Sequence, residues 1–472
     1  MGFGRRSNNR DDTSEVWPSW STSGLPSVTG DTFSRHRSNT LATHHPPTPE
    51  GSSPGSTASR PGATGAPLRG IRVVEVGHAV SAPLCARHLA DLGADVVKVE
   101  APTGDLARGY DSVVAGDSAY FAWANYGKRS VVMDLRSDEG RKHFGQLVET
   151  SDVLVHNLGP GAMNRLGFTP EHLRQLNPQL VNCQITGYGT TGPMADRKAF
   201  DLLVQGEAGL MAVTGTEADP AKVGISIVDM CTAVYALSTV QAALIERAST
   251  GIGRHVEVAM IDCISEWMMA PAFHQIHTGR APRREGARHN MMVPYGLYRT
   301  GERTSVNFAI QTAPHWRSLC EDVLEAPELT EHSDYATNAD RVRNRAKLET
   351  RVEELLSGIG HDAAVQRLLA AGIPSGEVND LAGLVDHEQL AARDRWMPIR
   401  TGGGDAPTIR PPFNLRDGYE VTPAVPGLGE HTDAVLAELD HPPNGAKAPI
   451  PNPRNNENSM PSGSRNGEHH AS

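Results

Sequence analysis

The feature that most constrains the fold is a strand–helix–strand pattern early in the chain. Residues 71–76 form a short run rich in β-branched residues, and residues 85–92 repeat their apolar side chains with helical spacing. Gly93 follows as a helix stop, and residues 95–100 form a second β-branched run. Strands joined through a helix are parallel and connect with a right-handed crossover. The sequence therefore predicts an α/β fold.

The same alternation continues along the chain and predicts a doubly wound, mostly parallel, Rossmann-like sheet. Further strands are predicted at 130–134, 153–156, 180–185, 223–228 and 254–258, and helices at 138–149, 170–176, 199–212 and 230–249. We assign residues 69–284 to this large domain. Residues 285–390, with hairpin-like strands at 296–299 and 305–310 and helices at 314–324, 340–356 and 361–371, predict a smaller α+β domain. Residues 391–440 are expected to be extended and to return to the large domain.

Both ends of the chain differ in composition from its middle. Residues 1–68 and 441–472 are rich in Ser, Pro, Gly and Asn, so they cannot bury enough apolar surface to offset the entropy of ordering. We predict that both are disordered tails. The first lacks the apolar core of a signal peptide, and its early acidic residues are untypical of a transit peptide.

Charge and cysteine content limit the binding partners and the cellular location that we expect for this chain. The formal net charge of −11 gives no reason to expect nucleic acid, and no window reaches the roughly 18 to 20 continuous apolar residues that a membrane-spanning helix requires. The five cysteines are widely spaced without a C-x-x-C pair, which predicts neither a disulfide framework nor a metal site. A cytoplasmic location is expected.

Asp229 is the strongest candidate for a catalytic residue. It follows the β-branched run 223–228 and precedes a predicted helix. An Asp at that place is commonly a helix N-cap. It is also where open α/β sheets bind ligands, and a helix N-terminus keeps a carboxylate ionised, so that it can attack a thioester. The local pattern leaves both interpretations open.

Two further patterns concern phosphate groups. Residues 187–192 match G-x-G-x-x-G after a strand, but no apolar helix and no suitably placed acidic residue follow, so a dinucleotide site is not expected. Gly189 and Gly192 of this segment could let a backbone approach a substrate closely. Five cations near predicted strand ends could together hold phosphates, although each alone is typical of a solvated surface: Lys98, Arg108, Lys128, Arg129 and Arg165.

In this order and spacing, several segments resemble the class III CoA-transferases, the family that also includes the α-methylacyl-CoA racemases. The segments are 93–100, 128–130, 152–161, 165–168, 187–193, 371–374 and 428–432, and the resemblance spans residues 68–440. It implies that Asp229 is the covalent nucleophile and that coenzyme A is a co-substrate, without a metal or a permanently bound cofactor. The CoA contacts that it implies are His78, Ala79, Val80, Ser81, Lys98, Lys128, Arg129, Asn157 and Arg165.

The chain departs from the family pattern at two places that bear on CoA. An arginine usual after the second strand is Ala101, and the common Asn-Phe-Arg-Pro-Gly is Asn157-Leu-Gly-Pro-Gly161. The racemases resemble this chain but need a His where it has Phe200, and racemisation requires two acid/base groups on opposite faces of the carbon. Transfer requires only the carboxylate, so a transferase is favoured over a racemase or an inert CoA-binding protein.

The acceptor and the assembly are inferred from the same resemblance. Arg288 and His289, followed by residues 294–296, resemble members that act on small dicarboxylates, where an Arg/His pair would suit a second carboxylate. The alternative is an exposed loop of solvated side chains. The expected partners are an acyl-CoA, a small carboxylic acid and a second copy of the chain in an interlocked homodimer.

Overall fold

The structure is a computed structural model that describes residues 66–301, 304–413 and 424–440. The two predicted disordered tails lie outside these ranges, except for residues 66–68.

Six parallel strands form the main sheet in the order β3-β2-β1-β4-β5-β6. The strands are β1 (Arg72–Val76), β2 (Asp95–Glu100), β3 (Arg129–Val132), β4 (Val153–His156), β5 (Val181–Thr186) and β6 (His255–Ala259). The order reverses between β1 and β4, and ligands bind beyond the carboxyl ends of the strands at such a reversal. The prediction of a doubly wound parallel sheet is confirmed.

Both faces of this sheet are covered by helices, because alternate strand residues are apolar on both sides. Val73 and Val155 face one hydrophobic core, whereas Val74 and Leu154 face another. The helices of this part are α1 (Ser81–Asp91), α2 (Ala119–Asn125), α3 (Asp138–Glu149), α4 (Ala162–Arg165), α5 (Pro170–Leu176), α6 (Asp201–Glu207), α7 (Leu210–Val213), α8 (Ile227–Thr250), α9 (Met260–Trp267) and α10 (Met269–Thr278).

Helix α8 is the central helix of the first core. It packs along α1 and α9 and buries residues such as Val228, Ala236 and Val240. Among the described residues it alone is long and apolar enough to cross a membrane by length and composition, and half of its most apolar window is buried inside the protein. Its first turn carries Asp229.

A separate hydrophobic cluster forms within residues 293–373. There β7 (Tyr295–Arg299), β8 (Ser305–Ala309) and β9 (Ser375–Gly376) make an antiparallel sheet. Its helices are α11 (Ala313–Ser318), α12 (Glu328–Glu331), α13 (Asn338–Arg343), α14 (Arg345–Leu356) and α15 (His361–Ala370), with a π-helical turn at Leu319–Val323. This cluster lies within the range that the sequence predicts as a small domain.

The last described segment returns to the main sheet. After α16 (Leu381–Val385) and α17 (Glu388–Ala392), the strands β10 (Trp396–Thr401) and β11 (Gly404–Ile409) form a hairpin, and α18 (Thr432–Asp440) packs on α3 and β3. Glu438 of α18 accepts a hydrogen bond from Arg129 at 2.6 Å. We predicted that this segment is extended. It is extended only in part, because it contains the helix α18 beside the hairpin.

One predicted strand is absent. Residues 223–226 are irregular, and α8 begins at Ile227. The run alternates like a strand, but its last two residues, Ile227 and Val228, belong to the first turn of α8, and residues 223–226 pair with no strand. Asp229 thus lies inside the first helical turn and does not follow a strand. The predicted helix at 340–356 is divided at Asn344 into α13 and α14.

Candidate active site

A cavity of about 620 Å³ opens where the strand order reverses. Its walls come from the loops after β1, β4 and β5, from residues 195–200 and from the start of α8. Of the predicted site residues, those that line it are His78, Ala79, Ser81, Asn157, Gly189 and Asp229. Those that do not are Val80, Lys98, Arg108, Lys128, Arg129, Arg165, Gly192, Arg288 and His289.

Asp229 lines this cavity, but the protonation of its carboxyl group differs from the sequence prediction. Burial, and then the negative charge of Asp201, raise the pKa of Asp229 to about 7, against the opposing hydrogen bond with Ser81. We expected the helix N-terminus to keep this group ionised. The helix N-terminus does not keep the pKa of Asp229 low, because burial and a neighbouring carboxylate outweigh the helix, and the group is ionised only in part at neutral pH.

Asp201 explains why the N-terminus of α8 does not stabilise the ionised carboxylate of Asp229. The backbone N–H groups of Val228 and Asp229 both donate to Oδ1 of Asp201, at 2.8 and 3.2 Å. Asp201 therefore caps α8 from another helix and occupies the donors that an N-cap carboxylate would use. The N-cap position of α8 is Ser226, so Asp229 is not the helix N-cap.

The loop after β1 is fastened by two buried or partly buried side chains. Asn157 accepts from the N–H of His78 at 2.9 Å, and donates to the carbonyl of His78 and to Oγ of Ser81, both at 3.0 Å. Asp105 accepts from the N–H of Ala79 at 3.1 Å. Ala79 has φ +61°, a left-handed conformation that costs a non-glycine residue energy and needs such support.

A fully buried charge network lies beneath this loop. Nζ of Lys98 contacts Glu75 at 2.7 Å and Asp105 at 2.9 Å, and donates to the carbonyl of Gly77 at 3.0 Å. Nζ of Lys128 contacts the other Glu75 oxygen at 2.7 Å. The side chains of all four ion-pair members are 0% exposed. The prediction that Lys98 and Lys128 contact CoA is therefore corrected, because neither side chain reaches the cavity surface.

The two lysines differ in the balance between burial and charge. Burial lowers the pKa of Lys98, but the surrounding carboxylates outweigh it and raise that pKa overall. Burial lowers the pKa of Lys128 to about 8, because a single carboxylate, Glu75, supports it most and Lys98 repels it. Burial opposes ionisation of Asp105, yet hydrogen bonding with His78 and the charge of Lys98 hold its pKa well below the ordinary range.

The other predicted phosphate-binding cations also have internal partners. Arg108 binds Glu100 at 2.7 Å, and Arg129 donates to Asp95 at 2.9 Å. Arg165 donates at 2.9 Å to a backbone carbonyl in the loop after β4. The structure therefore does not bring the five cations into one phosphate-binding cluster.

The predicted acceptor pair lies away from the cavity. The guanidinium of Arg288 contacts Glu349 at 2.7 Å and Glu353 at 2.6 Å, and the ring of His289 stacks on Tyr295. Because two carboxylates already neutralise Arg288, the predicted use of this pair for a substrate carboxylate is corrected for this chain.

Comparison with known proteins identifies the family. A model of CoA-transferase family III matches residues 68–432. The chain belongs to this family. It is 34% identical over 391 residues to the succinate–glutarate CoA-transferase of Agrobacterium fabrum, covering 79% of this chain and 96% of that protein. It is 33% identical over 389 residues to the acetyl-CoA:oxalate CoA-transferase of Acetobacter aceti, covering 82% and 99%.

A solved structure supports the same assignment. The crystal structure of a CaiB/BaiF family protein from Brucella suis matches with a TM-score of 0.70 and 34% identity, over 79% of this chain and 100% of that one. The predicted family is thus confirmed, and so is the enzyme class, a class III CoA-transferase of EC 2.8.3.

Two cations of this CoA-transferase escaped the sequence analysis. Arg197 and Lys198 line the cavity and are exposed there. Within the described part of the chain, Arg197 makes one ion pair, a long one of 3.9 Å to Glu207. The sequence did contain a usable indication, because both residues lie in the loop after β5, at the sheet edge where ligands bind. The missing apolar helix after residues 187–192 argues against a dinucleotide site but not against a phosphate.

Proposed function

We propose that this CoA-transferase carries its acyl and CoA groups covalently on Asp229. The observation that supports this most is the placement of Asp229 on the wall of the cavity at the strand-order reversal, in the first turn of the core helix α8. A carboxylate so placed can form a covalent intermediate with a thioester. Its pKa of about 7 leaves a large ionised fraction at neutral pH.

The reaction balances without any other group. An oxygen of Asp229 attacks the donor thioester carbonyl, the C–S bond breaks, and a mixed anhydride and CoA thiolate form. The thiolate then attacks Cγ of Asp229, the bond from Cγ to the bridging oxygen breaks, and the donor carboxylate leaves. The acceptor carboxylate enters and the same two steps run in reverse. No net proton is transferred.

We place the phosphates of CoA near Arg197 and Lys198, the exposed cations of the cavity wall. Cations on a cavity wall attract a polyanionic ligand, and arginine binds phosphate oxygens in pairs. Ala79 and Asn157 also line the cavity and would contact the pantetheine arm. Lys98 and Lys128 would act beneath the loop instead of touching the ligand.

We propose a small dicarboxylate as acceptor. The support is the similarity to relatives named for succinate and glutarate or for oxalate, at 34% and 33% identity over nearly their whole length. Within the described residues, the acceptor must bind next to Asp229 in the cavity, since Arg288 is already neutralised by Glu349 and Glu353.

Racemisation finds no support at the site. Phe200 lines the cavity where the racemases carry a base, and its ring cannot accept or release a proton. Deuterium uptake next to the thioester carbonyl, in the absence of any acceptor acid, would contradict this assignment.

We also propose an interlocked homodimer. Large apolar side chains are exposed on α6, α9 and α10 of the single chain, among them Leu203, Trp267 and Phe273. Apolar surface of this kind marks an interface. The mass in solution should be twice 50.6 kDa; a monomer at micromolar concentration would contradict the proposal.

The enzyme assay is an exchange of CoA. Succinyl-CoA is mixed with glutarate, oxalate, mesaconate or acetate, and new thioesters are identified by mass spectrometry. We expect exchange with at least one dicarboxylate, and loss of roughly 10⁴-fold or more with Asp229→Asn, as for removal of a covalent nucleophile.

The matched control is Asp262→Asn. Asp262 is the third residue of α9, as Asp229 is of α8, and it is exposed and outside the cavity. This control should keep full exchange. Exchange that survives in a folded Asp229→Asn protein would refute the proposed function.

A further inference from the structure

The loop between β1 and α1, residues 77–80, is held from beneath by two side chains that bind its backbone. Nζ of Lys98 donates to the carbonyl of Gly77 at 3.0 Å. Oδ1 of Asp105 accepts from the N–H of Ala79 at 3.1 Å. The side chains of Lys98 and Asp105 are fully buried, so they can affect a ligand in the cavity only through the loop.

Asp105 is itself fixed by three contacts besides the one to Ala79. Its backbone N–H donates to Oε2 of Glu100 at 3.0 Å, and its Oδ1 also accepts from the N–H of Ala107 at 2.9 Å. Its Oδ2 lies 2.9 Å from Nζ of Lys98. Interactions of this kind with a carboxylate are stronger than neutral hydrogen bonds. The acceptor opposite Ala79 is therefore firmly placed.

Ala79 is the residue of the loop that most needs such an acceptor. Its φ is +61°, in the left-handed region. For a residue with a Cβ atom this conformation is disfavoured by roughly 5- to 30-fold. Because Ala79 lines the cavity, a change in its backbone conformation would change the shape of the cavity wall.

We propose that Asp105 is a positioning residue of the CoA-transfer reaction, which holds Ala79 in the left-handed conformation and so keeps the loop in the shape that receives acyl-CoA. This inference rests on the proposed function, which places the pantetheine arm against Ala79. Asp105 touches no substrate and acts by setting the fraction of enzyme whose loop is competent to bind. The apparent dissociation constant rises in inverse proportion to that fraction.

Asp105→Asn tests the hold on Ala79. The two oxygens face an N–H group and an ammonium group, so in either orientation the NH2 group of Asn opposes one of these donors. The dissociation constant of free CoA, measured by titration calorimetry on the full chain, and KM for succinyl-CoA should each rise about 10-fold. We expect kcat to change by less than about 3-fold, because bound substrate selects the competent loop. An unchanged dissociation constant would overturn the proposal.

Asp105→Ser is the second variant, in case Asp105→Asn does not fold. Asp105 is the N-cap of the 3₁₀ turn Leu106–Gly109, and serine is also a good N-cap that can accept from Ala107. The serine oxygen lies one bond closer to the backbone and is withdrawn from Ala79. The same rise in the dissociation constant is expected, and its absence would count equally against the proposal.

Rescue by glycine decides whether Asp105 acts through Ala79. Glycine adopts the left-handed conformation readily, so Ala79→Gly removes the need for the acceptor. In the Asp105→Asn background, Ala79→Gly should improve the affinity for CoA by at least about 3-fold more than it does in the wild type. Equal effects in the two backgrounds would refute the proposal.

Two control variants match these changes. Ala115 is also left-handed, at φ +48°, but it is exposed and outside the cavity, so Ala115→Gly should not rescue Asp105→Asn. Asp152 is buried outside the cavity, accepts from the backbone N–H of Arg72 at 2.9 Å and pairs with Arg247 at 3.0 Å. Asp152→Asn should leave the affinity for CoA unchanged. Rescue by Ala115→Gly, or an equal loss in Asp152→Asn, would assign the effect to general stability and overturn the proposal.

Ala79→Leu separates failure of this proposal from failure of the proposed function. Leucine places a larger side chain on the cavity wall and should weaken CoA binding if the pantetheine arm lies there. Unchanged binding in Ala79→Leu would contradict the CoA placement of the proposed function. Weakened binding in Ala79→Leu beside unchanged binding in Asp105→Asn would overturn only the role of Asp105.

Discussion

Replacing Asp229 by Asn should stabilise the protein at high pH while abolishing its activity. The pKa of Asp229 is raised from 3.8 to about 7 by burial and by Asp201. Between these values the folded protein holds a proton that the unfolded chain has released, so stability falls as pH rises from about 4 to about 7. The loss is complete above the folded pKa.

The size of the effect follows from the shift. Each pKa unit corresponds to about 1.4 kcal/mol, so a shift of about three units gives roughly 4 kcal/mol at most, and about 2 to 4 kcal/mol is expected after allowing for partial solvent access. Urea unfolding of wild type and Asp229→Asn, followed by circular dichroism at equal protein concentration, measures it. The variant should be more stable at pH 8.5 and equal to wild type at pH 4.5.

The same experiment decides whether the Asp229 carboxylate is destabilised by burial and charge or only caps its helix. If Asp229 only capped its helix, Asn would serve equally well and the two proteins would unfold alike at every pH. Equal stabilities at pH 8.5 would therefore refute the reasoning from burial and charge. The control Asp262→Asn should leave the pH dependence unchanged.

Three further predictions concern neighbouring charges. Asp201→Asn keeps an oxygen for the N–H groups of α8 but removes a charge, so the pKa of Asp229 should fall and the acid limb of the kcat/KM profile, expected near pH 7 in the wild type, should move to lower pH; an unmoved limb would contradict this. Lys98→Met leaves the buried Asp105 carboxylate without its lysine and Glu75 with Lys128 alone, and it should cost about 3 to 5 kcal/mol in urea unfolding, whereas a loss below about 1 kcal/mol would contradict the network. Replacing both Arg197 and Lys198 by Ala should raise KM for succinyl-CoA about 10-fold with little change in kcat, and this increase should shrink in high salt; an unchanged KM would remove them from the CoA site.

The sequence predicted the parallel sheet well because its evidence is local. Each strand or helix in residues 71–100 shows its periodicity within its own few residues. A strand–helix–strand unit then implies parallel strands joined by a right-handed crossover. The run 223–228 shows the limit of that reasoning. It alternates like a strand, but its end starts α8, whose first N–H groups donate to Asp201, 27 and 28 residues earlier in the chain, and the local pattern does not contain that contact.

The site was predicted less completely because ion pairs are set by contacts between distant residues. Lys98 looked like a surface cation near a strand end, and its burial depends on Glu75, 23 residues earlier, and on Asp105. Arg288 likewise meets Glu349, 61 residues later. Such long-range pairings leave no periodic pattern in the sequence. The sequence therefore predicted a phosphate cluster and an acceptor pair where the structure has internal ion pairs.

The most direct test of the covalent mechanism follows an oxygen atom. A dicarboxylate acceptor labelled with ¹⁸O on both carboxyl groups is incubated with succinyl-CoA and enzyme, and the peptide that contains Asp229 is weighed after digestion. In the proposed steps the acceptor oxygen that bridges the anhydride stays on Asp229 when the new thioester leaves. We expect one ¹⁸O on Asp229 after a single turnover and none on Asp262. Full turnover to labelled product with an unlabelled Asp229 would contradict the account.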